Sequence, residues 1–319
     1  MTRRNILAGG GLLPLPMGNS EPKDIEMVFR TDQFEAYISP ARAHPQIWRI
    51  VVGVIVTVAM LIGWIIVSAW VTGELGWVGM NSAELDLNTR PSMIEGLLGF
   101  SGGIIGLWIV VRFLHRRSFG SLLGSGPVAR HFLIAAGVVA VINGSWLIAS
   151  AFVWGTIPNV AFASVLIFLP LGAALLLIQT GAEEFLFRGY LMQQLAARFA
   201  SPIIWFVLPA VTFGLIHYDP ASMGDMIWPI IASLTLTGLA WADLTRITGN
   251  IGAAWGWHFM NNFLLLNFFT LQGSLTGFAW KVTPFGPEDL TLIYIAPDFV
   301  FTVLSWWILR RILRPKFQF

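Results

Sequence analysis

Cysteine is absent from the 319 residues, which excludes disulfides, thiolate catalysis and cysteine-based zinc sites. Charge is scarce as well. Only 11% of residues are Asp, Glu, Lys or Arg, against about 25% in an ordinary soluble domain. The net charge of +2 is too small to imply nucleic acid as a partner. Internal repeats, heptads and low-complexity tracts are missing too, which leaves one membrane domain with a tail. What is plentiful is apolar: 56% of residues are hydrophobic and the mean hydropathy is +0.72. These values describe a polytopic membrane protein, an all-α transmembrane bundle.

Eight segments are long enough to be candidates for crossing about 30 Å of hydrocarbon at 1.5 Å per residue. They lie near 47–71, 94–113, 132–154, 162–188, 201–217, 226–244, 250–270 and 290–310. If the N-terminal segment is cytoplasmic, seventeen Lys and Arg fall on the cytoplasmic side, and only Arg90 and Lys281 on the other. The positive-inside rule therefore predicts about eight spans with both termini inside. The chain divides into a polar cytoplasmic tail (1–46), N-terminal transmembrane helices (47–160), a polar-studded core (161–272) and a last helix with a basic tail (273–319). Thr2-Arg3-Arg4 faintly resembles a twin-arginine start, but Pro14 and Pro16 break the apolar run that a signal peptide needs. Asp24 to Ile38 is expected to form a short interfacial helix. Gly102, Gly103 and Gly106 predict a close helix contact in the second span, and the tryptophans, Trp64, Trp70, Trp306 and Trp307 among them, suit interfacial belts.

Three polar clusters sit inside these apolar segments: Glu183-Glu184-Phe185-Leu186-Phe187-Arg188, Phe213-Gly214-Leu215-Ile216-His217, and His258-Phe259-Met260-Asn261-Asn262. An ionisable group at mid-membrane costs about 2.5–3.5 kcal/mol on insertion scales, so such residues mark a site facing the bundle interior. Glu184 and Arg188 are spaced i,i+4 and can pair on one face, while Glu183 points about 100° away and stays free for a cavity. Gln179 lies one turn below Glu183. A free carboxylate in a water-poor cavity suits general-base work. If the fourth and fifth spans turn near Ala200, Glu183 and His217 each lie 17 residues from the turn and share one depth. His258 and Asn262 are i,i+4 on the seventh span. Its depth matches theirs if the 189–200 tip protrudes, with the site then opening toward the cytoplasmic half. Asp243 and Arg246 are expected to pair at a helix end, Asn143 to join helices, and Asp298 to bond the backbone freed by Pro297 or to line a substrate path.

Together the three motifs resemble the CPBP family, the intramembrane proteases related to the type II CAAX prenyl endopeptidase and also called the Abi family. Its pattern of Glu-Glu-x-x-x-Arg, Phe-x-x-x-His and His-x-x-x-Asn is matched in order by Glu183-Glu184-x-x-x-Arg188, Phe213-x-x-x-His217 and His258-x-x-x-Asn262. The turn Arg246-Ile247-Thr248-Gly249-Asn250-Ile251 also looks like the family's loop. The resemblance covers roughly residues 165–270.

The resemblance implies peptide-bond hydrolysis in or near the membrane. Glu183 and His217 would activate water, Glu184 would count among the catalytic residues, Arg188 would form a structural ion pair, and His258 and Asn262 would hold the oxyanion. It implies no cofactor in a glutamate-type reading. The alternative is Zn²⁺ bound by Glu183, His217 and His258, a His₂Glu set. Expected partners are membrane lipids and a membrane-associated peptide or protein, CAAX-type or not, with no nucleic acid. The expected location is a bacterial inner membrane. Two alternatives compete: a catalytically silent relative acting as a bacteriocin-immunity or scaffold protein, and a proton-coupled transporter.

Overall fold

In lipid, a long apolar run must satisfy its backbone internally, and a helix does so within one segment. The computed structural model describes residues 30–74 and 87–314. Its helices are α1 (Asp32–Ile38), α2 (Ile47–Glu74), α3 (Arg90–Ile109), α4 (Val128–Trp154), α5 (Phe162–Glu184), α6 (Gln193–Arg198), α7 (Leu208–Leu215), α8 (Pro220–Met223), α9 (Ile227–Thr248), α10 (Gly252–Asn267) and α11 (Leu292–Leu313). Wide π turns at Phe185–Met192 and Ile203–Val207 join α5 to α6 and lead into α7. Two-residue strands β1 (Ile157–Pro158), β2 (Phe269–Thr270) and β3 (Lys281–Val282) tie the loops at one end. There β3 is central, antiparallel to β1 and parallel to β2.

The all-α polytopic bundle is as expected, but the count of eight full spans is corrected. Among the described residues, six helices are long and apolar enough to cross a membrane: Ile47–Gly73, Arg90–Leu114, Val128–Trp154, Phe162–Arg198, Gly224–Thr248 and Leu292–Leu313. The expected span 201–217 is the shorter apolar helix Ile203–Leu215. The expected span 250–270 is α10, with 16 residues, about 24 Å long against about 30 Å of hydrocarbon. The cause is local. Gly249 takes a left-handed conformation (φ 67°) and ends α9, so α10 cannot begin before Gly252; its far end turns into β2. Both described ends of the chain reach the same end of the bundle: the Thr31 hydroxyl donates to the Arg246 carbonyl at 3.2 Å, and Arg310 pairs with Asp243.

Small residues set the helix contacts. A Cβ on Gly102 would lie 2.4 Å from Cβ of Trp64, and one on Gly106 would lie 2.9 Å from Cα of Thr57, so α3 closes on α2 at these two positions. At Gly103 the nearest α2 atom would be 3.9 Å away, which is ordinary contact. A Cβ on Gly256 would meet the Phe132 carbonyl at 2.1 Å, so α10 lies directly against the α4 backbone. Tryptophan serves as more than a belt. Trp64, Trp70 and Trp307 are exposed on the bundle exterior, but Trp205, Trp241 and Trp257 are core residues.

The expected interfacial helix is shorter and deeper than the sequence suggests. Residues 24–29, like Thr2-Arg3-Arg4, lie outside the described residues. α1 is N-capped by Thr31 and buries Phe34, Tyr37 and Ile38 completely. Each contributes about 1.5–3 kcal/mol by burial. Its neighbours are the 189–196 segment and Leu122, where Tyr190, Met192, Gln193 and Gln194 are themselves buried. The 189–200 tip is therefore covered by the N-terminal segment, which overturns the expectation that the site opens past it toward the cytoplasm.

Candidate active site

The first motif lies where α5 passes into its π turn, a local widening common at functional sites. Glu184 is fully buried and its Oε1 accepts from Arg188 at 3.0 Å. Arg188 also donates to the Gly238 carbonyl at 3.3 Å, and its guanidinium lies 4.9 Å from the ring centroids of both Phe213 and Trp241. The same Glu184 oxygen accepts from His258 Nδ1 at 2.9 Å. One carboxylate thus joins the first motif to the third. Removing one partner of such a buried pair leaves an uncompensated charge.

Glu183 faces the other way, 12% exposed to a cavity of about 480 Å³. Its Oε1 accepts from Gln179 Nε2 at 2.7 Å, whereas its Oε2 has no donor. That free oxygen lies 3.6 Å from His258 Nε2. With Nδ1–H given to Glu184, Nε2 of a neutral His258 carries the lone pair and faces the Glu183 carboxylate just beyond hydrogen-bond distance, so the two must draw together to pass a proton. The His258 ring is held by stacking on Trp241 at 4.4 Å and 23°.

His217 donates from Nδ1 to the Phe213 carbonyl at 2.8 Å, which leaves Nε2 available in the cavity. The phenylalanine of this motif has a steric role. Its ring lies 5.1 Å from the His217 ring and 6.0 Å from that of His258, so it sits against both imidazoles. Asn262 donates to Gln179 Oε1 at 3.0 Å, accepts from Asn261 at 3.2 Å, and Asn261 in turn accepts from Asn143 at 3.0 Å. Asn143, Asn261, Asn262, Gln179 and Glu183 form one directional chain from α4 through α10 to α5. Gln179, Asn261 and Asn143 are thereby added to the site. Gln179 carried a spacing signal, one turn from Glu183, as did Asn261, three residues after His258, whereas Asn143 was expected only to join helices.

Glu183, His217, His258 and Asn262 all line the cavity; Glu184 and Arg188 lie behind it. Glu183, His217 and His258 do not come together as a group spaced to hold a metal among the described residues. From the site the cavity runs to Thr270, Thr283, Phe285 and Leu290, beside the small sheet, which is the cation-poor end of the bundle. Under the positive-inside rule that end faces away from the cytoplasm.

Fold and site together describe an integral membrane protein with a polar catalytic-type cavity among its helices. Residues 164–264 match the family model described as type II CAAX prenyl endopeptidase Rce1-like, a family of proteases. All three motifs fall inside the match, and this is the family they resemble. The chain is also 26% identical over 305 residues to the uncharacterized protein YyaK of Bacillus subtilis (strain 168), covering 85% of this chain and 95% of that protein. No solved structure matches.

Proposed function

We propose that the chain is a glutamate-type intramembrane endopeptidase acting on membrane-associated peptides, in a bacterial plasma membrane. The observation that carries the reading is the Glu183 carboxylate: the residue lines the cavity, and its buried Oε2 has no donor and lies 3.6 Å from His258 Nε2. A water between Glu183 and the free Nε2 of His217 loses its proton to Glu183 and attacks the scissile carbonyl carbon. Negative charge moves to the carbonyl oxygen, where the Asn262 amide can donate. Glu183 passes its proton to His258, and the imidazolium, held on its other side by Glu184, donates from Nε2 to the oxyanion. When the C–N bond breaks, that proton leaves with the amine. The buried Glu184–Arg188 pair positions His258 without touching the substrate.

Metal dependence is decided by experiment. The purified protein is assayed on a quenched fluorescent prenylated CAAX peptide and a panel of unprenylated membrane peptides, beside Glu183→Ala, with and without chelator. Cleavage that is lost in the variant and indifferent to chelator supports the proposal. Loss with chelator and recovery with Zn²⁺ would replace it by a metalloprotease. Absence of all cleavage would favour the silent-relative reading. Cleavage of only one peptide class assigns the substrate.

A further inference from the structure

The cavity extends well beyond Glu183 and His217, and its outer part has a chemistry that hydrolysis does not use. α11 contributes Tyr294, Asp298 and Phe301 to one wall, spaced i, i+4 and i+7 and so on one face. α4 contributes Trp146 and Trp154 opposite. The two walls meet ring to ring: Trp154 lies 4.9 Å from Tyr294, Trp146 lies 5.2 Å from Phe301, and Phe285 closes on Tyr294 at 4.4 Å. Asp298 sits about one turn from each aromatic pair. It faces the cavity with no hydrogen-bond or ionic partner among the described residues, so it does not bond the backbone near Pro297. No Lys or Arg lines the cavity among the described residues.

A carboxylate without a counter-ion, flanked by aromatic faces, complements an organic cation. The carboxylate supplies the charge and the rings supply their quadrupoles. The path back to the reacting centre is short. His258 stacks on Trp241, Thr237 is one turn from Trp241 and bonds Thr302 at 3.0 Å, and Thr302 is one turn from Asp298. The two turns alone rise about 11 Å, and the sideways steps between the helices add to this, so the span is that of three or more extended residues.

Resting on the protease reading, we propose that Asp298 and its aromatic neighbours form a subsite for a basic side chain of the substrate, three or more residues from the bond that is cut. A lysine ammonium or arginine guanidinium would lie beside the contacting rings of Trp154 and Tyr294 with Asp298 as its counter-charge. The site would thus select membrane peptides by a cation at a fixed distance from the scissile bond.

The test reads binding, without cleavage, on the full chain in dodecyl maltoside. Fluorescein-labelled octapeptides of Leu and Ala each carry one Lys, moved along the sequence, and each is paired with a norleucine twin; anisotropy gives Kd. At one or more positions the Lys peptide is expected to bind at least tenfold more tightly than its twin. Asp298→Asn should reduce that advantage below threefold, as should Tyr294→Leu more weakly, with melting temperatures confirming folded variants. Equal binding of the twins, no binding of either, or an advantage that survives Asp298→Asn would overturn the subsite. So would displacement of the Lys peptide by millimolar phosphocholine with the same dependence on Asp298, which would assign the box to a lipid headgroup. Discrimination without turnover would reject the hydrolase reading and keep the subsite; turnover without lysine preference would do the reverse.

Discussion

At the cation-rich end, buried polar side chains tie backbone segments together, whereas around the cavity they tie mainly to one another. Arg30 donates to the carbonyls of Ala196 and Phe199, Gln193 to that of Ser121, and Tyr190 to that of Arg49. The Tyr37 hydroxyl lies 2.9 Å from the Arg188 carbonyl and 3.2 Å from that of Leu122. These bonds fix chain segments distant in sequence, and losing one loosens the fold. The chain from Asn143 to Glu183 is side chain to side chain, and it ends on a carboxylate whose second oxygen has no donor. Such groups can exchange partners with a substrate while the backbone stays put.

The largest test of this contrast is Glu183→Gln. It should reduce turnover by about 10³-fold or more, in the range of a lost general base, with the melting temperature hardly changed. A rate within tenfold of wild type would remove Glu183 from the chemistry. Arg188→Ala should show the converse signature, a loss of about 3–5 kcal/mol of stability because Glu184 is left charged and buried. Denaturant melts in detergent measure it, and an unaltered midpoint would contradict the structural role of the pair.

Tyr37→Ala should follow, at about 3 kcal/mol for an emptied aromatic site, and Tyr37→Phe at about 1 kcal/mol for the hydroxyl alone. A cysteine introduced at Ala196 should react faster with maleimide once α1 is undocked. If it does not, α1 does not guard that end.

The smallest effect is one of pH. Burial, reinforced by the positive charge of Arg117, pushes His115 down from 6.5 to about 4. The ring lies between the Tyr190 hydroxyl at 2.9 Å and the Gln194 amide at 3.0 Å. A histidine held neutral binds fewer protons folded than unfolded. Its stabilising contribution is complete above about pH 6.5 and is lost as pH falls toward 4. Melting temperature should decline across that window, and the decline should be shallower in His115→Gln; parallel profiles would show that His115 is not the group responsible.

Much of this was legible beforehand, because hydropathy and helical spacing are local. Composition required helices, and the i,i+4 spacing of Glu184 and Arg188 put them within reach. The rotation of Glu183 left it for a cavity. Gly102, Gly103 and Gly106 announced a close contact of the second span without naming its partner, and it is made at Gly102 and Gly106. Hydropathy windows also located α7 and α10 but overstated their lengths, since a window cannot see a π turn or a left-handed glycine. Trp146 and Trp154 read like any belt tryptophan, because lipid and an aromatic-lined cavity favour the same side chain.

The direction in which the cavity opens was a matter of tertiary structure alone. It depends on α1, a seven-residue helix whose three apolar side chains find a place only where the 189–196 segment and Leu122 already stand. The same holds for Asp298. Pro297 offered it a local backbone partner, and only the approach of α4 to α11 gives it aromatic neighbours instead. Periodicity is written in neighbours along the chain and determined which residues share a helix face. What each face meets depends on residues from some forty to well over a hundred positions away, and folding alone brings those together.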